Sequence, residues 1–215
     1  MPATPETGLP FAALRRLAAP KARPELCEFC SVAVRAEHRH LLEVESRRIL
    51  CVCDACGLRF EGVIGGRFEL IPREVRALTD FCLSDAQWES LALPINLAFF
   101  VRSRADGKMR ALYPGPAGVT ESLLTLEHWQ AIAAANPAGL QWALEVEALL
   151  VNRVGMERDY LIVPIDRCYE LVGLIRLHWR GLAGGEAVWG RIRDFFNALK
   201  AQAVPEHQAR EAAHA

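Results

Sequence analysis

Short apolar runs alternate with polar residues in the first third of the chain: Leu41-Leu42-Glu43-Val44-Glu45, Arg48-Ile49-Leu50-Cys51-Val52 and Arg67-Phe68-Glu69-Leu70-Ile71. They predict three short strands, with Gly62, Gly65 and Gly66 supplying the turns. Further along, Ile95 to Ser103 is apolar on both faces for most of its length, as a central strand would be. Asp106-Gly107 is a turn dipeptide that leads into a second strand, Met109 to Tyr113. Val146 to Asn152 and Tyr160 to Ile165 predict two more strands joined around Gly155.

Between these runs the spacing changes to that of helices. Ser84-Asp85-Ala86-Gln87 has the form of a capping box opening a helix through Trp88 and Leu91, and Pro94 stops it. Thr125 can cap a helix with Leu126, Trp129, Ile132 and Ala133 on one face, ended by Asn136-Pro137. Asp166 is read as the cap of a helix that places Leu171, Leu174, Ile175 and His178 on one face. After Gly181, Gly184 and Gly185, a last helix carries Val188, Ile192, Phe195, Phe196 and Leu199. Hairpins followed by helices predict the α+β class, an antiparallel sheet with helices on one face, behind a small cysteine-bearing β ribbon.

The expected organisation is a mobile arm over 1–24, where five prolines surround a helical turn from Phe11 to Leu17. A metal-binding ribbon over 25–72 follows, then an α+β domain over 79–203 and a disordered tail over 204–215. No apolar stretch approaches the roughly 20 residues of a membrane helix. The N-terminus lacks the layout of a signal peptide.

Composition adds two constraints. With 52% hydrophobic residues and a net charge of −1, the chain is neither an acidic disordered polymer nor a polycation, which makes nucleic acid an unpromising partner. A chain of 215 residues buries enough surface to hold a core without covalent staples, so its seven cysteines need a separate account. Their odd number and clustering point to metal ligation in a reducing cytoplasm rather than to disulfides.

Cys27-Glu28-Phe29-Cys30 and Cys53-Asp54-Ala55-Cys56-Gly57 are two C-x-x-C knuckles. Each pair folds into a tight turn, and two such turns present four thiolates tetrahedrally, the arrangement of a closed zinc site. Gly57 is read as a positive-φ position that lets backbone N–H groups point at sulfur. Ligand type alone leaves iron open as well, mononuclear as in rubredoxin or in an iron-sulfur cluster. Cys51, two residues before Cys53, is a candidate fifth ligand if the strand continues through both. His38 and His40 lie between the knuckles and are candidates for an additional ligand or a proton relay. Four thiolates already fill a tetrahedral shell, so the simpler reading is a solvated turn.

Elsewhere chemistry is sparse. Tyr113, Pro114, Gly118 and Thr120 belong to a proline- and glycine-containing segment without a Walker lysine, better suited to a rigid connection or partner-binding loop than to phosphate. Glu145, Glu147, Asn152 and Arg153 are read as solvated residues, and Cys82 and Cys168 as core. No Ser/His/Asp or paired-carboxylate arrangement stands out, and no catalytic residue is assigned.

Several segments together carry a resemblance: Cys27-Glu-Phe-Cys30, His38-Arg-His-Leu-Leu-Glu43, Leu50-Cys-Val-Cys-Asp-Ala-Cys56, Leu97-Ala-Phe-Phe100, Tyr113 through Ser122, Val146 through Arg153 and Val163-Pro-Ile-Asp166. From Cys27 to about Leu199 the chain resembles a family of uncharacterised bacterial proteins encoded in gene clusters for oxygen-tolerant, high-affinity uptake nickel-iron hydrogenases. The resemblance implies a cytoplasmic accessory factor for hydrogenase maturation, assembly or electron transfer, with a hydrogenase subunit or maturation factor as partner. Rubredoxin-like proteins occur in hydrogenase assembly, which strengthens the iron alternative.

Overall fold

In a computed structural model, residues 24–122, 126–136, 142–181 and 183–205 are described. The predicted turn over 11–17 and the Thr125 cap lie outside them. Three strands, β1 (Arg39–Glu43), β2 (Arg48–Val52) and β3 (Phe68–Leu70), form an antiparallel sheet in the order β2-β1-β3. Side chains alternate across it. Leu41, Leu50 and Val52 fall on one face, where they pack with Cys27, Cys53 and Cys56. His40 and Leu42, with their cross-strand partners Cys51 and Ile49, fall on the other.

The larger sheet has seven strands: β4 (Arg76–Ala77), β5 (Leu97–Arg102), β6 (Met109–Gly115), β7 (Gly118–Glu121), β8 (Glu147–Asn152), β9 (Asp159–Pro164) and β10 (Val204–Pro205). Their order is β10-β4-β9-β8-β5-β6-β7, and every pairing is antiparallel except that of β10 with β4. Five helical segments complete the described chain: α1 (Asp54–Leu58), α2 (Asp85–Ser90), α3 (Leu126–Ala135), α4 (Ile165–His178) and α5 (Glu186–Gln202). The capping box holds: Ser84 Oγ accepts from Gln87 N, and Gln87 Oε1 accepts from Ser84 N. Asp166 does not cap α4; Pro164 takes that position and Asp166 sits in the first turn.

The α+β class and antiparallel sheet are as expected, but helices cover both faces. Phe99, Leu150 and Val163 pack with Leu171, Ile175, Val188 and Phe196 of α4 and α5. Phe100, Leu149 and Ile162 point the other way, toward Trp88 of α2 and Trp129 and Ile132 of α3. A strand apolar on both faces needs cover on both, and β5 has it. The ribbon shares the first of these cores, since Leu42 and Ile71 are buried with Phe99 and Leu171.

Other expectations change. Val204 and Pro205, placed in the tail, pair with Arg76 and Ala77. Glu145, Glu147, Asn152 and Arg153 are buried, not solvated. Glu147 accepts from Arg76 at 3.0 Å and from the Ala143 backbone at 2.6 Å; Arg153 donates to the Leu83 carbonyl at 2.6 Å. These partners offset the cost of burying charge. Cys168 is buried as expected, but Cys82 is exposed.

Candidate metal centre

The first knuckle rests on β2. Glu28 N donates to the Cys51 carbonyl at 2.9 Å, and Cys51 N donates to Glu28 Oε1 at 3.0 Å. The Glu28 carboxylate also pairs with Arg48. The knuckle closes with Ser31 N donating to the Cys27 carbonyl at 2.8 Å, and Ser31 then adopts a left-handed φ of 59°. The second knuckle begins where β2 ends. Cys53 is the N-cap of α1, and its sulfur accepts from Cys56 N at 3.5 Å. Gly57 is not at positive φ as expected: it lies within α1 and donates to the Cys53 carbonyl at 2.9 Å. Its need for glycine is steric, because a Cβ there would lie 2.6 Å from the Arg39 side chain.

These two turns bring Cys27, Cys30, Cys53 and Cys56 together, with all four sulfurs within 4.8 Å of one another. Cys30 and Cys53 sulfurs are 3.7 Å apart. Tetrahedral Zn–S bonds of about 2.3 Å place sulfurs about 3.8 Å apart, so the cage has the dimensions of a closed metal site. No disulfide competes, since all seven cysteines are free.

Electrostatics within the cage are uneven. Burial opposes the Cys27 thiolate, but backbone N–H groups of Cys53, Cys30 and Phe29, with the Cys30 thiol, pull its pKa down to about 6. Cys56 is pushed up to about 12, chiefly by the neighbouring Cys53 and Cys30 sulfurs. One thiolate is stabilised, while the Cys30 and Cys56 thiols are pushed up and hold their protons. A dication resolves that crowding by taking the place of the protons.

Cys51 does not join this cage. Cys51 alternates with Leu50 and Val52, so it projects from the opposite face of β2 and falls in a second group with His38 and His40, and the strand stops at Val52, before Cys53. One ring nitrogen of each histidine and the Cys51 sulfur lie within 4.8 Å of one another. The two rings meet edge to face at 4.6 Å. His38 is not in a solvated turn: its side chain is 6% exposed, with Nδ1 2.8 Å from the Arg35 carbonyl. His40 Nδ1 lies 2.8 Å from Asp166 Oδ2, a contact that no sequence signal announced.

The segment of Tyr113, Pro114, Gly118 and Thr120 is a hairpin rather than a loop. Tyr113 pairs with Thr120, Pro114 with Val119 and Gly115 with Gly118. It lies in the larger sheet, apart from both cysteine groups.

Residues 26–203 match a family of unknown function (DUF5947). No curated protein and no solved structure matches the chain.

Proposed function

The chain belongs to the DUF5947 family of unknown function, and we propose that it is a metal-binding accessory protein whose four-thiolate site fixes a protein-interaction surface. The observation that carries this reading is the convergence of Cys27, Cys30, Cys53 and Cys56 within 4.8 Å on two knuckles. Zinc is the metal such a closed thiolate cage takes by default, and its binding energy becomes folding energy for the small ribbon.

The surface over the cage supports an interaction role. Leu26, Phe29, Val32 and Leu58 are each about half exposed around the knuckles, and Phe29 packs against Phe60 at 5.5 Å and Phe68 at 5.4 Å. Apolar side chains held at a rigid surface are what partner recognition uses. The partner class is a subunit or maturation factor of a nickel-iron hydrogenase, taken from the resemblance of the sequence segments, and the clustered free cysteines favour a cytoplasmic location. Among the described residues no helix is long and apolar enough to cross a membrane.

Affinity purification of the full chain from cells expressing the hydrogenase tests this directly. Stable recovery of a hydrogenase subunit with one zinc in the four-cysteine site is expected; normal hydrogenase activity after gene deletion, with no subunit recovered, overturns it. A second reading, iron in the same cage acting as a one-electron carrier, is favoured by the exposure of Cys30, which brings one ligand to the surface. It requires a red protein that bleaches on reduction.

A further inference from the structure

We propose a second metal site, separate from the four-thiolate cage, in which His38, His40 and Cys51 hold a zinc-class divalent ion at the seam between the ribbon and the larger domain. Three observations carry it.

Strand register is the first. His40 and Cys51 are direct cross-strand partners, so their side chains stand side by side on one face of the sheet. His38 precedes His40 by two residues, and its ring meets that of His40 at 4.6 Å. One ligand atom from each residue lies within 4.8 Å of the other two. The four-cysteine cage packs with Leu41, Leu50 and Val52, the residues of the opposite face. The two groups therefore cannot share one ion.

The second observation is the state of the rings. Metal-bound histidines characteristically donate their other ring N–H to a carboxylate or a backbone carbonyl, which fixes the tautomer and aims the free nitrogen. Both arrangements occur here. His40 Nδ1 is 2.8 Å from the Asp166 carboxylate, and His38 Nδ1 is 2.8 Å from the Arg35 carbonyl, with Glu25 at 3.8 Å.

The third is an orphan. His38 Nε2 is buried and has no hydrogen-bond partner, on a side chain that is 6% exposed. Leaving such a nitrogen unpaired incurs the desolvation penalty of a buried polar group with nothing to offset it. Coordination removes that cost.

Two imidazoles and one thiolate suit a borderline-soft divalent ion, and three protein ligands leave one corner of a tetrahedron open to water or to an incoming side chain. The site is thus chemically unlike the closed cage. Asp166 belongs to α4, so an ion held by His40 is connected through one hydrogen bond to the helix that covers the main sheet.

The test uses full-length reduced protein, stripped of metal and reloaded with zinc alone and, in parallel, with cadmium alone. Wild type is expected to bind two zinc equivalents, and His38→Ala/His40→Ala one. Cadmium-113 spectra of wild type should show two resonances, one in the four-sulfur region and one displaced by replacement of sulfur with nitrogen, without recourse to any variant. One zinc equivalent and a single four-sulfur resonance in wild type would overturn the second site. Loss of the four-sulfur resonance alone would instead count against the cage and leave this site standing.

Discussion

The carboxylate of Asp166 and the imidazole of His40 meet at 2.8 Å across 126 residues of chain, joining the first turn of α4 to the first strand of the ribbon. Asp166→Asn keeps the shape but removes the charge that orients and enriches the ring. Affinity for zinc at the His38/His40/Cys51 site should fall about 10- to 100-fold, the usual effect of removing such a partner. Competition titration with a chromophoric chelator measures it. The four-sulfur cadmium resonance should stay unchanged, which separates positioning of His40 from a general loss of structure.

Removal of metal should loosen the ribbon without unfolding the large sheet. The core built on β5, β8 and β9 contains none of the four cage cysteines, whereas the ribbon core includes Cys27, Cys53 and Cys56. Hydrogen exchange after chelation is expected to rise across the segment from Cys27 to Phe60 while Phe99, Leu150 and Val163 stay protected. Uniform loss of protection would show that the metal supports the whole chain.

Leu41 and Leu42 are adjacent and both buried, yet they serve different cores. Replacing either with alanine should cost about 2–5 kcal/mol locally. Leu42→Ala should lower the main unfolding transition, because Leu42 packs with Phe99 and Leu171. Leu41→Ala should instead weaken retention of the cage metal and leave that transition nearly in place. Calorimetry paired with metal-release kinetics distinguishes the two.

Ser31 holds a left-handed φ of 59° at the exit of the first knuckle. An L-residue with a Cβ is strained there by about 1–2 kcal/mol, and glycine is not. Ser31→Gly, which leaves the Ser31 N–H bond to Cys27 intact, should therefore match or raise the stability of the loaded ribbon, since relief of strain offsets the added freedom of the unfolded chain. Ser31→Val should lower it, and metal-release half-lives would rank the three proteins.

What could be read along the chain was local. The two knuckles, the hairpins around Asp106-Gly107 and Gly155, and the Ser84 capping box follow from spacings of a few residues, and each is present. What escaped depends on register or on distance along the chain. Whether Cys51 shares a face with Cys53 depends on where β2 ends; ending at Val52 turns Cys53 into a helix cap and sends the two sulfurs to opposite sides. The Arg76 guanidinium that pairs with Glu147 and the Leu83 carbonyl that accepts from Arg153 lie about 70 residues away, beyond any window of sequence periodicity. The second layer of helices did have a signal, in the both-faced apolarity of Leu97 to Val101, a strand that one layer could not have covered. The Tyr113 to Thr120 hairpin was obscured by Pro114, a residue normally confined to positions where no ladder donor is needed.

Among the described residues, the seven-stranded sheet ends in two unequal margins. At one, β10 offers two residues, the second a proline with no N–H; at the other, β7 offers four, with Val119, Thr120 and Glu121 exposed. Unpaired edges are templates for strands of other chains, and short or proline-bearing ones are poor templates. Runaway edge-to-edge polymerisation needs two receptive margins per molecule, and the β10 margin is blunted. Of the two margins that the described residues form, β7 is the better template for strand-mediated association.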